Sequence, residues 1–144
     1  MSKYDFELNL NENSSTGKIL RSIEKGSTVL EFGCANGRMT KYMQQELECE
    51  VYIVEIDQKA FCEARQYACY GVCGDILKGQ WMTEFPQGIF DYVIFADVLE
   101  HLVDPVKALK LCMPFLKENG KVIFSIPNLA HSDILNNLYN CTNY

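Results

Sequence analysis

At 144 residues, 48% of them hydrophobic, the chain is sized for a single domain able to bury roughly two-thirds of the surface its unfolded form exposes. Its formal charge of -6 is spread without a block of like sign. That argues against nucleic acid or an anionic membrane as the main partner, because phosphate binding needs a basic face, and a small-molecule acceptor is expected instead.

Ser14 and Ser15 are suitable N-caps for a leading helix, marked by Ile19, Leu20 and Ile23 at helical spacing. Residues 29–32 read as a first strand, followed by a helix striped by Met39, Tyr42, Met43 and Leu47. Residues 51–56 read as a second strand. Ala60, Phe61, Ala64, Tyr67 and Ala68 stripe the next helix, with Asp57 as its cap. A short third strand precedes Gly74. Residues 92–96 form a fourth, followed by a helix capped by Asp104 with Pro105 as its first residue. Residues 121–126 form a fifth, ended by Pro127, and Ile134, Leu135, Leu138 and Tyr139 mark a final amphipathic segment.

Uninterrupted apolar runs such as Tyr92-Val-Ile-Phe-Ala indicate strands covered on both faces, as in a parallel sheet. The expected fold is therefore α/β, a Rossmann-like parallel sheet with helices on both faces in three αβα layers. One domain over 1–144 is expected, with a leading segment and helix over 1–26, a core over 27–128 and a C-terminal helix over 129–144. The ligand belongs at the carboxyl ends of the strands, near the switch in strand order between the first and fourth.

Cysteines stand at 34, 49, 62, 69, 73, 112 and 141, an odd count with no Cys-x-x-Cys pair. Reduced, mostly buried thiols and no metal site are the expectation. No run approaches the ~18 apolar residues of a membrane span, and the N-terminus has no signal-peptide core, so a cytoplasmic location with no membrane partner is expected.

The most informative stretch is 29–37, Val-Leu-Glu-Phe-Gly-Cys-Ala-Asn-Gly, where a strand enters a glycine-bearing turn and a helix follows. Gly33 and Gly37 are expected to turn the backbone and to admit a ligand where a Cβ would intrude. Amides at the start of the helix would face that ligand. Glu55 stands near the end of the second strand, where an acid can take both hydroxyls of a ribose. A dinucleotide fingerprint needs glycine at the first, third and sixth positions of the turn; counted from Gly33, those positions hold Gly33, Ala35 and Arg38. A nicotinamide-dependent oxidoreductase is disfavoured on that ground.

The spacing found, glycine, three residues, glycine, with an acid two residues before, resembles the class I S-adenosylmethionine-dependent methyltransferases. Gly74-Asp75-Ile76 resembles that family's adenine-edge motif, the stretch 90–105 its fourth strand and turn, and 116–128 its fifth strand. Glu100-His101-Leu102 after the fourth strand resembles a branch that includes small-molecule and sugar O-methyltransferases. The resemblance implies S-adenosyl-L-methionine as cofactor, with contacts from Glu31, Gly33, Cys34, Gly37, Glu55, Ile56, Gly74, Asp75, Ile76, Ala96 and Asp97. Glu31 would face the methionine ammonium, Glu55 the ribose and Asp75 the adenine amino group, while Ala96 and Asp97 bring a backbone carbonyl to the ammonium. The plain alternatives are a solvated strand-end carboxylate for Glu31 and a turn-stabilising role for Asp75. Trp81 either covers the adenine or fills core.

His101, at the pocket mouth in the resemblance, is the candidate catalytic base, since a histidine near pH 7 can take a hydroxyl proton as the methyl arrives. A structural Glu-His pair is its alternative. His131 and Asn128 would line the acceptor side. The family continues with an antiparallel strand pair that this chain is expected to lack, leaving the fifth strand as an edge able to pair with a second copy or be covered by the C-terminal helix. O-methylation of a small metabolite or sugar is the leading expectation. The alternative is a protein that binds S-adenosylmethionine or S-adenosylhomocysteine without turnover because that C-terminal part is missing.

Overall fold

A computed structural model describes residues 8–127. The expected C-terminal helix, Asn128 and His131 lie outside the described residues. Five strands, β1 (Thr28–Phe32), β2 (Glu50–Glu55), β3 (Tyr70–Cys73), β4 (Phe90–Ala96) and β5 (Leu116–Ser125), form one sheet in the order β3-β2-β1-β4-β5. Every pairing is parallel. The order reverses between β1 and β4, so their turns flank the crevice where such sheets bind ligands.

Side-chain alternation along the strands divides the core in two. Val29, Val51, Ile53, Tyr92 and Ile94 point to one face, beneath α1 (Ser15–Arg21), α2 (Arg38–Gln45) and α3 (Gln58–Arg65). Leu30, Phe32, Val54, Val93 and Phe95 point to the other, beneath α4 (Pro105–Cys112) and a 3-10 turn over Gln80–Thr83. The second face is aromatic: Phe32 stacks on Phe95 at 4.8 Å and meets Trp81 edge-on at 4.9 Å. Trp81 is fully buried and its indole N–H donates to the Ile76 carbonyl at 3.0 Å, so it fills core and does not cover an adenine.

The caps are those the sequence indicates. Ser14 accepts from the Gly17 N–H, Asp57 from that of Ala60 and Asp104 from that of Lys107. The helices end earlier than their apolar stripes: Ile23, Leu47 and Ala68 all lie past the last helical residue yet still pack on the first core face. Asp91 stitches three strands where the β4–β5 register shifts, accepting from the Thr28 N–H at 2.8 Å and from the Lys117 ammonium at 3.0 Å. Burial pushes its pKa up, but these bonds outweigh burial and hold the carboxyl below its usual range.

Gly37 opens α2 at φ 86°, and a Cβ there would lie 2.6 Å from the Ala64 Cα of α3. The glycine therefore permits two helices to touch, a packing role beyond the turn the sequence indicates. Gly37→Ala combines left-handed strain with overpacking and should destabilise the chain by about 2–4 kcal/mol, measured by urea unfolding.

Candidate functional site

Four consecutive structural decisions build the site. Gly33 leaves β1 at φ 66°, with its N–H bonded to the Val54 carbonyl at 2.8 Å. A Cβ on Gly33 would meet Val98 at 2.6 Å, so this glycine also serves protein packing, holding the β1 turn against the turn after β4. Ala35 follows at φ 51°, unusual for a residue with a Cβ. That conformation turns the Ala35 N–H onto Glu55 Oε2 at 2.8 Å.

Glu55 is 6% exposed, and its other oxygen, Oε1, accepts from the Asp57 N–H at 3.0 Å. Each carboxylate oxygen thus receives one backbone donor and keeps capacity for another. The carboxylate is oriented before any ligand arrives. Beside it Ile56 is 68% exposed, a large apolar side chain left in water at the end of β2.

Glu31 lies one layer below. On β1 it stands between Ile53 of β2 and Ile94 of β4 in register, it is 2% exposed, and the Thr40 hydroxyl of α2 donates to its Oε2 at 2.8 Å. Burial pushes its pKa up to about 7; the Thr40 bond opposes this and the nearby Glu55 charge adds to it. It is not the solvated strand-end carboxylate of the plain alternative. Cys34 is buried between these acids, and burial, then Glu31, then Glu55 drive its thiol far up, so it remains a protonated, unreactive group.

On the β3 side, the Gly74 N–H donates to the Glu55 carbonyl at 3.0 Å. Asp75 Oδ1 accepts from the Leu77 N–H at 2.8 Å, a turn bond that leaves its other oxygen for a ligand. The Ile76 side chain is buried in the second core face. On the β4 side, Ala96 is half-buried and Asp97 exposed at φ 54°. Asp97 is pinned by Ser125: its N–H donates to the Ser125 carbonyl at 3.2 Å, and the Ser125 hydroxyl donates to Asp97 Oδ1 at 2.8 Å.

The next turn carries Glu100 and His101. The His101 side chain is 79% exposed, with Nε2 3.6 Å from Glu100 Oε1, beyond hydrogen-bond reach. Both Glu100 carboxylate oxygens are buried, without a hydrogen-bond partner among the described residues. Among the described residues no group of three or more His, Cys, Asp or Glu is arranged to hold a metal, and no helix is long and apolar enough to cross a membrane.

With this geometry in view, residues 9–143 match the family model described as "Methyltransferase domain". The chain belongs to that family. The ubiquinone biosynthesis O-methyltransferase of Pseudomonas paraeruginosa is 30% identical over 106 residues, covering 72% of this chain and 45% of that protein. The chain therefore spans less than half the length of this curated relative. Among solved structures, a TehB-like SAM-dependent methyltransferase from Corynebacterium glutamicum superposes with a TM-score of 0.68 at 19% identity, covering 88% of this chain and 71% of that one. Phosphoethanolamine N-methyltransferase 2 from Haemonchus contortus, in complex with phosphomonomethylethanolamine and S-adenosylhomocysteine, gives 0.65 at 21%, covering 88% and 32%. At these identities the two structures establish the fold.

Within this methyltransferase domain the structure brings Glu31, Gly33, Cys34, Gly37, Glu55 and Ile56 together around one turn, with Gly74 and Asp75 on one flank and Ala96 and Asp97 on the other. Two participants escaped the sequence reading. Thr40 and Ser125 each hold an acid of the site, and nothing in their local spacing marks a threonine inside a helix or a serine inside a strand as doing so.

The raised Glu31 pKa carries a stability consequence. Below its ordinary value of 4.5 the carboxyl is protonated in both folded and unfolded chains, and it is neutral in the folded chain up to about 7. Between these values only the unfolded chain ionises, so stability falls as pH rises, by about 3 kcal/mol in all. Glu31→Gln should raise stability by up to that amount at pH 8 and change little below pH 5, as read from urea midpoints across pH.

Proposed function

We propose that the chain binds S-adenosyl-L-methionine at the carboxyl ends of β1, β2 and β4 and methylates an oxygen of a small hydroxylated acceptor. The observation that carries this reading is the Glu55 carboxylate, held by the Ala35 and Asp57 amides with one acceptor position open on each oxygen. That suits a vicinal diol, which presents two hydroxyl donors side by side. The exposed Ile56 beside it suits the apolar face of an adenine, and the remaining oxygen of Asp75 suits its amino group. The acid-rich floor suits a ligand with a cationic sulfur and an ammonium.

When bound, the cofactor would supply an activated methyl group on a cationic sulfur, with the neutral thioether as its leaving group. The chain's own contribution is alignment and proton removal. Glu55 and the Gly33–Gly37 turn fix the nucleoside end, and Ala96 and Asp97, held by Ser125, form the opposite wall. His101 takes the acceptor's hydroxyl proton on an imidazole nitrogen. The oxygen acceptor class is supported by the name of the Pseudomonas relative; the particular metabolite or sugar is left to acceptor screening.

A second reading, a cofactor-binding protein without turnover, is favoured by the same turn. His101 is largely in solvent, and Glu100 lies 3.6 Å from it without a hydrogen bond, so among the described residues no oriented base is assembled. Calorimetric titration with S-adenosylhomocysteine, with NAD as control, tests the shared part of both readings; micromolar binding of the first alone is expected. Glu55→Ala should weaken that binding by about 1.5–3 kcal/mol through loss of charge-assisted hydrogen bonds, and unchanged affinity would refute the ribose assignment. His101→Ala should leave S-adenosylhomocysteine affinity within about twofold while lowering methylation of a catechol or sugar panel by about 10²-fold or more. Binding without turnover on any hydroxylated acceptor would favour the second reading.

A further inference from the structure

We propose that Cys62 and Cys73 form a reversible redox pair beside the cofactor site: a low-molecular-weight disulfide, such as oxidised glutathione, converts them to an intrachain disulfide, and that bond weakens ligand binding. The effect on the ligand rests on the cofactor reading above; formation of the bond does not.

The packing of α3 on β3 brings the two sulfurs together. Side chains alternate along a strand, so Gly71 and Cys73 share one face of β3, the face that α3 covers. At Gly71 a Cβ would lie 2.9 Å from Phe61 Cε2 and 3.2 Å from Arg65 Cδ, so the glycine lets the helix settle close to the strand. On α3, Gln58 and Cys62 stand four residues apart and therefore on one side of the helix. The Gln58 amide lies between the thiols: its Nε2 donates to Cys62 Sγ at 3.5 Å, and Cys73 Sγ donates to its Oε1, also at 3.5 Å. Two cysteines from different elements thus share the two ends of one side-chain amide. Cys62 is exposed and Cys73 half-buried, whereas Cys34, Cys49 and Cys112 are buried, so a small oxidant reaches this pair. Hydrogen bonds to sulfur are weak, and Gln58 is itself exposed. Its side chain can swing into solvent and let the sulfurs meet.

The surroundings set the order of events. Burial first, then Cys62, Glu55 and Asp57 hold the Cys73 thiol above its ordinary range, so the exposed Cys62 reacts first. Its thiolate attacks one sulfur of the oxidised glutathione, expelling one glutathione thiolate and leaving a mixed disulfide. Cys73 then gives its proton to solvent and attacks Cys62 Sγ, expelling the second glutathione thiolate. Two protein thiols are oxidised, one small disulfide is reduced to two thiols, and the protons pass to the departing thiolates or to buffer.

The new bond acts on the site through the backbone. Cys73 stands in register with Glu55, its Sγ lies 3.9 Å from the Ile56 carbonyl, and the next N–H, that of Gly74, donates to the Glu55 carbonyl. Gln58 is the first residue of α3, directly after Asp57, whose N–H holds Glu55 Oε1. Drawing Cys62 and Cys73 together therefore pulls on two supports of Glu55 and takes the Cys73 thiol away from Ile56.

Treatment of the full chain with oxidised glutathione, followed by alkylation and peptide mapping, should give a Cys62–Cys73 cross-link that dithiothreitol reverses. Cys69 shares a tryptic peptide with Cys73, so Cys69→Ser should retain the cross-link, and Cys73→Ser should stop at Cys62 carrying glutathione. Calorimetry with S-adenosylhomocysteine should show about tenfold weaker binding to the oxidised chain than to the reduced one, and Cys62→Ser should bind equally under both conditions. Reciprocally, saturating S-adenosylhomocysteine should lower the ratio of oxidised to reduced chain at a fixed glutathione poise by the same factor. Trp81 emission should be the same in both forms. The inference is overturned, with the cofactor site left standing, by absence of the cross-link, by a bond through another cysteine, or by affinities within about twofold in the two forms. A red-shifted Trp81 emission on oxidation, which marks unfolding, overturns it as well. If the reduced wild-type chain binds no S-adenosylhomocysteine, the cofactor reading falls and the coupling to the ligand falls with it.

Discussion

Two hydrogen bonds to one carboxylate organise the site. Glu55 takes the Ala35 N–H on one oxygen and the Asp57 N–H on the other, and so ties the turn after β1 to the turn after β2. The left-handed conformation at Ala35 has a local cost, and the charge-assisted bond it makes is what offsets it. Two residues on, Gly37 opens α2, and α2 in turn brings Thr40 over Glu31. Remove the Glu55 carboxylate and the β1 turn loses its anchor.

The rest of the fold keeps that pair of turns in register. β1 is the centre of the sheet, flanked by β2 and β4, and its residues alternate between a helical face and an aromatic one. Both glycines of the first turn are spent on packing, against Val98 and against Ala64. The β1 turn is thereby held between the turn after β4 and α3.

Much of this was legible in the sequence, and for physical reasons. Two-sided apolar strands indicate a parallel sheet, Asp57 and Asp104 mark helix starts through short side chains that accept from the backbone, and the order of glycine turn, strand and acid places Glu55 at the end of β2 beside the β1 turn. Helix ends were less legible, because Ile23, Leu47 and Ala68 keep the apolar period after the helix has stopped. Gly33 and Gly37 turn the backbone as expected, while their packing against Val98 and Ala64 went unforeseen, since no local pattern shows which distant side chain fills the space a Cβ would take. Thr40 and Ser125 were invisible for the same reason: each acts on an acid 9 or 28 residues away. The turn bond of Asp75 is local, two residues long, and is the plain alternative read from the sequence; the exposure of His101 depends on tertiary placement.

The chain has a single tryptophan, and Trp81 lies against Phe32 and Phe115 with its one polar atom bonded to Ile76. It is therefore a built-in optical reporter. Its emission is that of an indole in an apolar surround while the aromatic face is intact and moves to the red when water reaches it. Because its hydrogen bond runs to the residue beside Asp75, it also senses the loop after β3. One wavelength thus follows both the integrity of the domain and the posture of that loop.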